Sequence, residues 1–112
     1  MGRTAAAFDV FHAIADVNRR AMLDLLAERP TTVGVLAEHA NLSYSATSQH
    51  LAILRAAGLV KRRERGRERV YSVNARPLRE VFTWSSRYER FWRSRLARLR
   101  RVLDRKDHEG RP

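Results

Sequence analysis

The chain has 112 residues, 44 % of them hydrophobic, which suffices for one domain with a core and not for several. Lys and Arg number 23 against 12 Asp and Glu, a formal net charge of +11, and the absence of cysteine excludes disulfides, thiolate metal sites and cysteine nucleophiles. The charge is lopsided: residues 1–54 sum to −1 and residues 55–112 to +12, which points to a polyanion or an anionic membrane without choosing between DNA, RNA and lipid.

In chain order, Ala5 to Ala15 reads as a helix, with Phe8, Phe11, Ile14 and Ala15 on one face. Asp16 is placed to cap a second helix that starts at Val17, carries Ala21-Met22 and Leu25-Leu26, and ends at Arg29-Pro30. Thr31 or Thr32 caps a third, with Val33, Leu36, Ala37 and Ala40 inward. After the break at Asn41-Leu42, Ser43 caps a fourth helix running to about Ala57, with Thr47, Leu51 and Leu54 inward and Ile53 at the edge. Gly58 sits where a helix C-terminus favours positive φ, and Leu59-Val60 returns to the core.

The period then changes. Val60 to Glu64 and Arg69 to Val73 read as two strands, joined by Arg65-Gly66-Arg67-Glu68 as a hairpin. Pro77 opens a last helix, expected to run unbroken to about Arg105, about 42 Å at helical rise. Its apolar positions include Leu78, Val81-Phe82, Ser85, Tyr88, Trp92, Leu96, Leu99 and Val102-Leu103, with Trp84, Tyr88 and Phe91 as a second stripe. The expected fold is mainly α with a β-hairpin: a winged helix-turn-helix of four core helices, a two-stranded wing and a long C-terminal dimerisation helix. Residues 1–105 are expected to form one domain, with the C-terminal helix over about 77–105 and a flexible tail over 106–112.

Two helices joined by a few residues and followed by a basic hairpin form the layout in which the second helix enters the DNA major groove. The outer side of that helix offers Ser45, Ala46, Ser48, Gln49 and Ala52, small enough to approach base edges, and Gln pairs bidentately with adenine. The candidate recognition residues are Tyr44, Ser45, Ala46, Ser48, Gln49 and His50, the last read as structural or phosphate-facing. The candidate wing contacts to DNA backbone or minor groove are Arg62, Arg63, Arg65, Arg67 and Arg69. The plain alternatives are a solvated helix face, and a charged strand edge that blocks pairing.

These residues resemble the ArsR/SmtB type of winged-helix regulator. The resemblance runs from about Phe8 to Val73 and is carried by Ile14 to Leu23, by Thr32 to Glu38, and above all by Leu42 to Val60, with its Ser48-Gln49-His50-Leu51 and Gly58-Leu59-Val60. It implies a homodimeric repressor of a roughly palindromic operator that dimerises through its first and last helices. The expected interface is then Phe8, Phe11, Trp84, Tyr88, Phe91, Trp92, Leu96 and Leu99, of which Trp84, Tyr88, Phe91 and Trp92 are also apolar surface that a monomer of this size leaves partly exposed. Relatives sense metals through cysteines on the third helix or carboxylates and histidines on the last. Here Thr32 to Ala37 has no cysteine and Leu78 to Arg105 has no histidine, so the expectation is no metal and no cofactor, with an effector left unidentified.

The expected function is sequence-specific binding of double-stranded DNA to regulate transcription. A winged-helix module for RNA or a protein partner is the alternative. No phosphate-binding Gly loop or acid/base cluster suggests an enzyme. No apolar run reaches membrane-spanning length and no signal segment stands at the N-terminus, so no membrane partner and a cytoplasmic location are expected.

Overall fold

Two aspartates start the fold of this chain, whose computed structural model describes residues 9–109, with side chains through Lys106. Asp9 has extended backbone and accepts from the Phe11 N–H at 2.7 Å, capping α1 (Val10–Ile14). Phe8 and the expected start of this helix lie outside the described residues. The inward face of α1 is also turned from expectation: Val10 and Ala13 are buried, Phe11 and Ile14 pack at the edge, and Ala15 is exposed.

Asp16 caps α2 (Val17–Glu28) as expected, accepting from Asn18 N at 2.8 Å and Arg19 N at 3.1 Å. Burial would raise the Asp16 carboxyl, but the Arg19 and Asn18 N–H groups, with His50 and Arg19 nearby, outweigh it and hold its pKa below 3.8. Met22, Leu23 and Leu26 are buried and Ala21 is exposed. Thr31–Thr32 forms a short strand, β1, absent from the sequence reading, and Thr32 caps α3 (Val33–Ala40). Asn41 has φ 55°, the left-handed conformation that closes a helix, and the Leu42 N–H reaches back to Ala37 O at 3.0 Å. Ser43 Oγ then accepts from Ala46 N at 3.0 Å and starts α4 (Tyr44–Ala56).

β2 (Val60–Arg65) and β3 (Glu68–Val73) pair antiparallel with Arg65 opposite Glu68 and Val60 opposite Val73. Gly66, the first of the two turn residues, has φ 65°, as a tight hairpin requires. β1 adds to the far side of β3, pairing Thr31 with Tyr71 and Thr32 with Val70, so the strand order is β1-β3-β2. The wing is thus part of a three-stranded sheet. Met22, Leu26, Leu36, Leu51, Leu54 and Leu59 fill the core between helices and sheet, closed by Val60 and Tyr71. Each such side chain contributes about 1.5–3 kcal/mol of burial.

The chain divides into two compact units, the first ending at Val81 and the second beginning at Phe82, within α5 (Leu78–Ser86). Leu78 and Val81 pack on the first unit's core, whereas Phe82, another apolar position of this helix, is 73 % exposed. The expected unbroken helix is interrupted: α5 ends at Ser86 and α6 (Glu89–Glu109) begins after Arg87-Tyr88. The cause is local. Ser85 Oγ donates to Phe82 O at 3.1 Å and Ser86 Oγ to Thr83 O at 2.7 Å, while the Tyr88 N–H turns to Ser85 O at 3.0 Å. Hydroxyls that bond preceding carbonyls loosen the helical ladder, and i→i+3 bonds tighten the backbone out of α geometry. α6 continues through Glu109, past the point where a tail was expected, and residues 110–112 lie outside the described residues.

Candidate nucleic-acid interface

The rotation of α4 about its axis follows from three positions. Thr47, Leu51 and Leu54 are all 0 % exposed, and Thr47 Oγ1 donates to Ser43 O at 2.9 Å, so its hydroxyl is satisfied inside the core. With that side fixed, Ser45, Gln49, Ala52 and Ala56, at helical spacing, form an exposed row on the opposite side. Tyr44 is exposed at the first turn, and Ala46 and Ser48 lie half-buried on the flanks. Neither large apolar nor acidic side chains interrupt this row.

His50 differs from its neighbours. It is half-buried, and its Nδ1 lies 3.3 Å from Nη1 of Arg19 on α2. Arg19 is 7 % exposed; its Nε donates to Ala13 O at 2.7 Å and its Nη2 to His12 O at 2.9 Å. Arg20 Nη1 donates to Ile14 O at 2.7 Å, so two arginines cap the C-terminus of α1. The sequence reading missed this cluster. Its signal was an arginine sharing the inward spacing of Met22, Leu23 and Leu26.

On the wing, register separates the arginines. Val60, Arg62 and Glu64 face the same way as Val73, Tyr71 and Arg69, and Lys61, Arg63 and Arg65 lie on the other face with Ser72, Val70 and Glu68. Because Val60 and Tyr71 are buried, the first face is continuous with the core at its base. Arg62, Arg63, Arg65, Arg67 and Arg69 are all exposed, with Arg67 in the turn. Asn74 anchors the wing to the end of α4: its N–H donates to Leu59 O at 2.7 Å and its Nδ2 to Gly58 O at 2.8 Å. A shallow cleft of about 310 Å³ brings Tyr44 together with Arg67, Glu68 and Arg69 and the start of α3 at Thr32, Val33 and Gly34. The structure therefore joins one end of the recognition face to the wing tip. Two arginines against one glutamate give the open cleft a net positive lining, which with the Tyr44 phenol suits a phosphate backbone.

In the second unit, Trp84 and Tyr88 meet edge to face at 5.5 Å, Tyr88 and Phe91 are 6.2 Å apart, and Arg90 lies 4.8 Å over the Phe91 ring. Trp92, Leu96, Leu99 and Leu103 follow at spacings that make one seam along α6, and all are exposed. Arg93 pairs with Glu89 at 2.7 Å on the surface. Among the described residues no three His, Cys, Asp or Glu side chains converge as a metal site, and no helix is long and apolar enough to cross a membrane.

Residues 16–62 match the family described as bacterial regulatory protein, arsR family. The chain is 40 % identical over 76 residues to transcriptional repressor SdpR of Bacillus subtilis, covering 68 % of this chain and 84 % of that protein. It is 37 % identical over 94 residues to the HTH-type transcriptional regulator Rv2034 of Mycobacterium tuberculosis, covering 84 % and 85 %. Its fold is similar to a solved ArsR-like transcriptional regulator from Rhodococcus, with a TM-score of 0.64 and 30 % identity over 88 % of this chain and 92 % of that one.

Proposed function

Since this chain belongs to the ArsR family of bacterial regulators, which bind DNA to control transcription and are not enzymes, we propose that it is a homodimeric repressor of a roughly palindromic operator. The observation that carries this reading is the exposed row Ser45-Gln49-Ala52-Ala56 on a helix whose other side is locked in the core. Such a row presents short donors, acceptors and methyl groups at groove depth. Ser45 and Gln49 read base edges, Tyr44, Ala46 and Ser48 line the approach, and Arg62, Arg63, Arg65, Arg67 and Arg69 hold phosphates or the minor groove.

Dimerisation is assigned to Phe11 on α1 and to Trp84, Tyr88, Phe91, Trp92, Leu96 and Leu99, with Phe8 in the same role. Exposed aromatic and leucine side chains in one stretch support that reading. A two-fold dimer presents two recognition helices to half-sites about one helical turn apart. Residues up to 105 act together as one regulator, with no metal or cofactor in its action, and the effector is unassigned. Selection of bound fragments from genomic DNA by the purified protein tests the reading. Recovery of a shared motif with inverted half-sites supports it, and equal competition by structured RNA at the same salt concentration overturns it.

A further inference from the structure

Among the described residues, Arg19 is the charged side chain that the fold buries. A buried guanidinium persists where its donors meet acceptors, and Arg19 meets three: His12 O, Ala13 O and His50 Nδ1. Arginine has donors only, so His50 accepts at Nδ1 and carries its proton at Nε2. Two of these partners end α1 and the third lies in the middle of α4. Apolar packing at Leu51 and Leu54 buries one side of α4 but is non-directional. The guanidinium fork adds direction. His50 directly follows Gln49, so a shift of one carries the other, and a bidentate pair with a base tolerates only a few tenths of an ångström.

We infer that Arg19 is a positioning residue for DNA reading: it sets α4 against α1 through His50, and His50 acts as the acceptor of that bond and not as a contact to DNA. The inference rests on the DNA-reading function proposed above.

The test compares wild type with Arg19→Lys, His50→Ala, His50→Asn and the Arg19→Lys/His50→Ala double variant, all as full chains. Fluorescence anisotropy gives the affinity for a selected operator duplex and for a scrambled duplex, and thermal melts monitor the fold. Lysine keeps the charge and loses the fork, so affinity for the scrambled duplex stays within about twofold. Arg19→Lys and His50→Ala each lose about tenfold in preference for the operator, and the double variant loses about tenfold in total, not a hundredfold, because both changes remove the same bond. His50→Asn, which restores an acceptor oxygen near the Nδ1 position, returns to within about threefold of wild type.

The inference is overturned if His50→Asn is as deficient as His50→Ala, since the imidazole itself is then required. It is overturned equally if the two single losses multiply, or if melting temperatures fall while operator preference stays intact. Should Arg19→Lys fail to fold, the His50 pair decides alone. A wild-type protein with no preference between duplexes would instead remove the DNA-reading function on which the inference stands.

Discussion

Arg67 in the hairpin turn and Gln49 on α4 are both exposed, and the DNA contacts proposed for them predict that their loss has different signatures. Arg67 is exposed in a two-residue turn whose geometry rests on Gly66, so Arg67→Ala should change stability by no more than about 0.5 kcal/mol. Arg67 lines the cleft with Arg69 and Tyr44, and in the proposed DNA complex it neutralises one phosphate. Removing one phosphate contact lowers the slope of log K against log salt by about 0.9, so between 50 and 200 mM salt the advantage of wild type over the variant shrinks by about 3.5-fold. The loss is the same for operator and scrambled duplexes. Gln49→Ala should behave in the opposite way: the salt slope stays unchanged, and discrimination falls by about 1–3 kcal/mol at the base pair that Gln49 is proposed to read. Anisotropy titrations of both variants against both duplexes at three salt concentrations measure all of these quantities. If Arg67→Ala changes discrimination with its slope intact, or Gln49→Ala changes the slope, the assignment of backbone contact to the wing and base contact to α4 is wrong.

Three further outcomes follow from local geometry. Asp16 has its carboxyl pKa depressed on folding, so its contribution is complete above the unfolded value near 3.8 and disappears as pH falls through the lower folded value. Asp16→Ala should cost about 1 kcal/mol at pH 6 and flatten the acid limb of stability below about pH 4, measured by urea melts. Gly58 has φ 79°, and an added Cβ would meet Pro77 Cγ at an ordinary 3.5 Å, so Gly58→Ala should cost about 1–2 kcal/mol from backbone strain alone and lower the melting temperature. If the proposed dimer forms through α6, Leu96→Ala with Leu99→Ala should raise its dissociation constant by about tenfold per leucine in sedimentation experiments, and an unchanged constant would refute that interface.

Much of the winged unit was legible because its signals are local. Asp16, Thr32 and Ser43 cap helices through their own following N–H groups, and Gly58 and Gly66 occupy the positive-φ positions that a short sequence window marks. The inward side of α4 followed from spacing alone. The missed features depend on partners distant in sequence or on competition within a turn. β1 exists because Thr31 and Thr32 meet Tyr71 and Val70 some forty residues later. Arg19 looks like a surface residue until the carbonyls of α1 and the ring of His50 surround it. The break after Ser86 arises from two hydroxyls bonding backward, a choice that apolar periodicity does not report. Of the candidate recognition residues, His50 is the one that meets a buried side chain of another helix, Arg19 on α2, a contact that spacing within α4 does not report.

The pairing of β1 has a mechanical consequence for the hairpin. β1 supports β3 at Val70 and Tyr71 and no further, so the segment from Glu64 to Arg69 overhangs a stitched base like a cantilever. Three residues of overhang reach about 10 Å, between the widths of the minor and major grooves. In the proposed DNA complex, pairing at the base fixes where the tip arrives, and the unsupported part beyond it leaves arginines on both faces to settle against a groove of varying width. Inserted residues near Gly66 would lengthen the overhang without loosening the stitches, so reach and anchorage of the wing can vary independently.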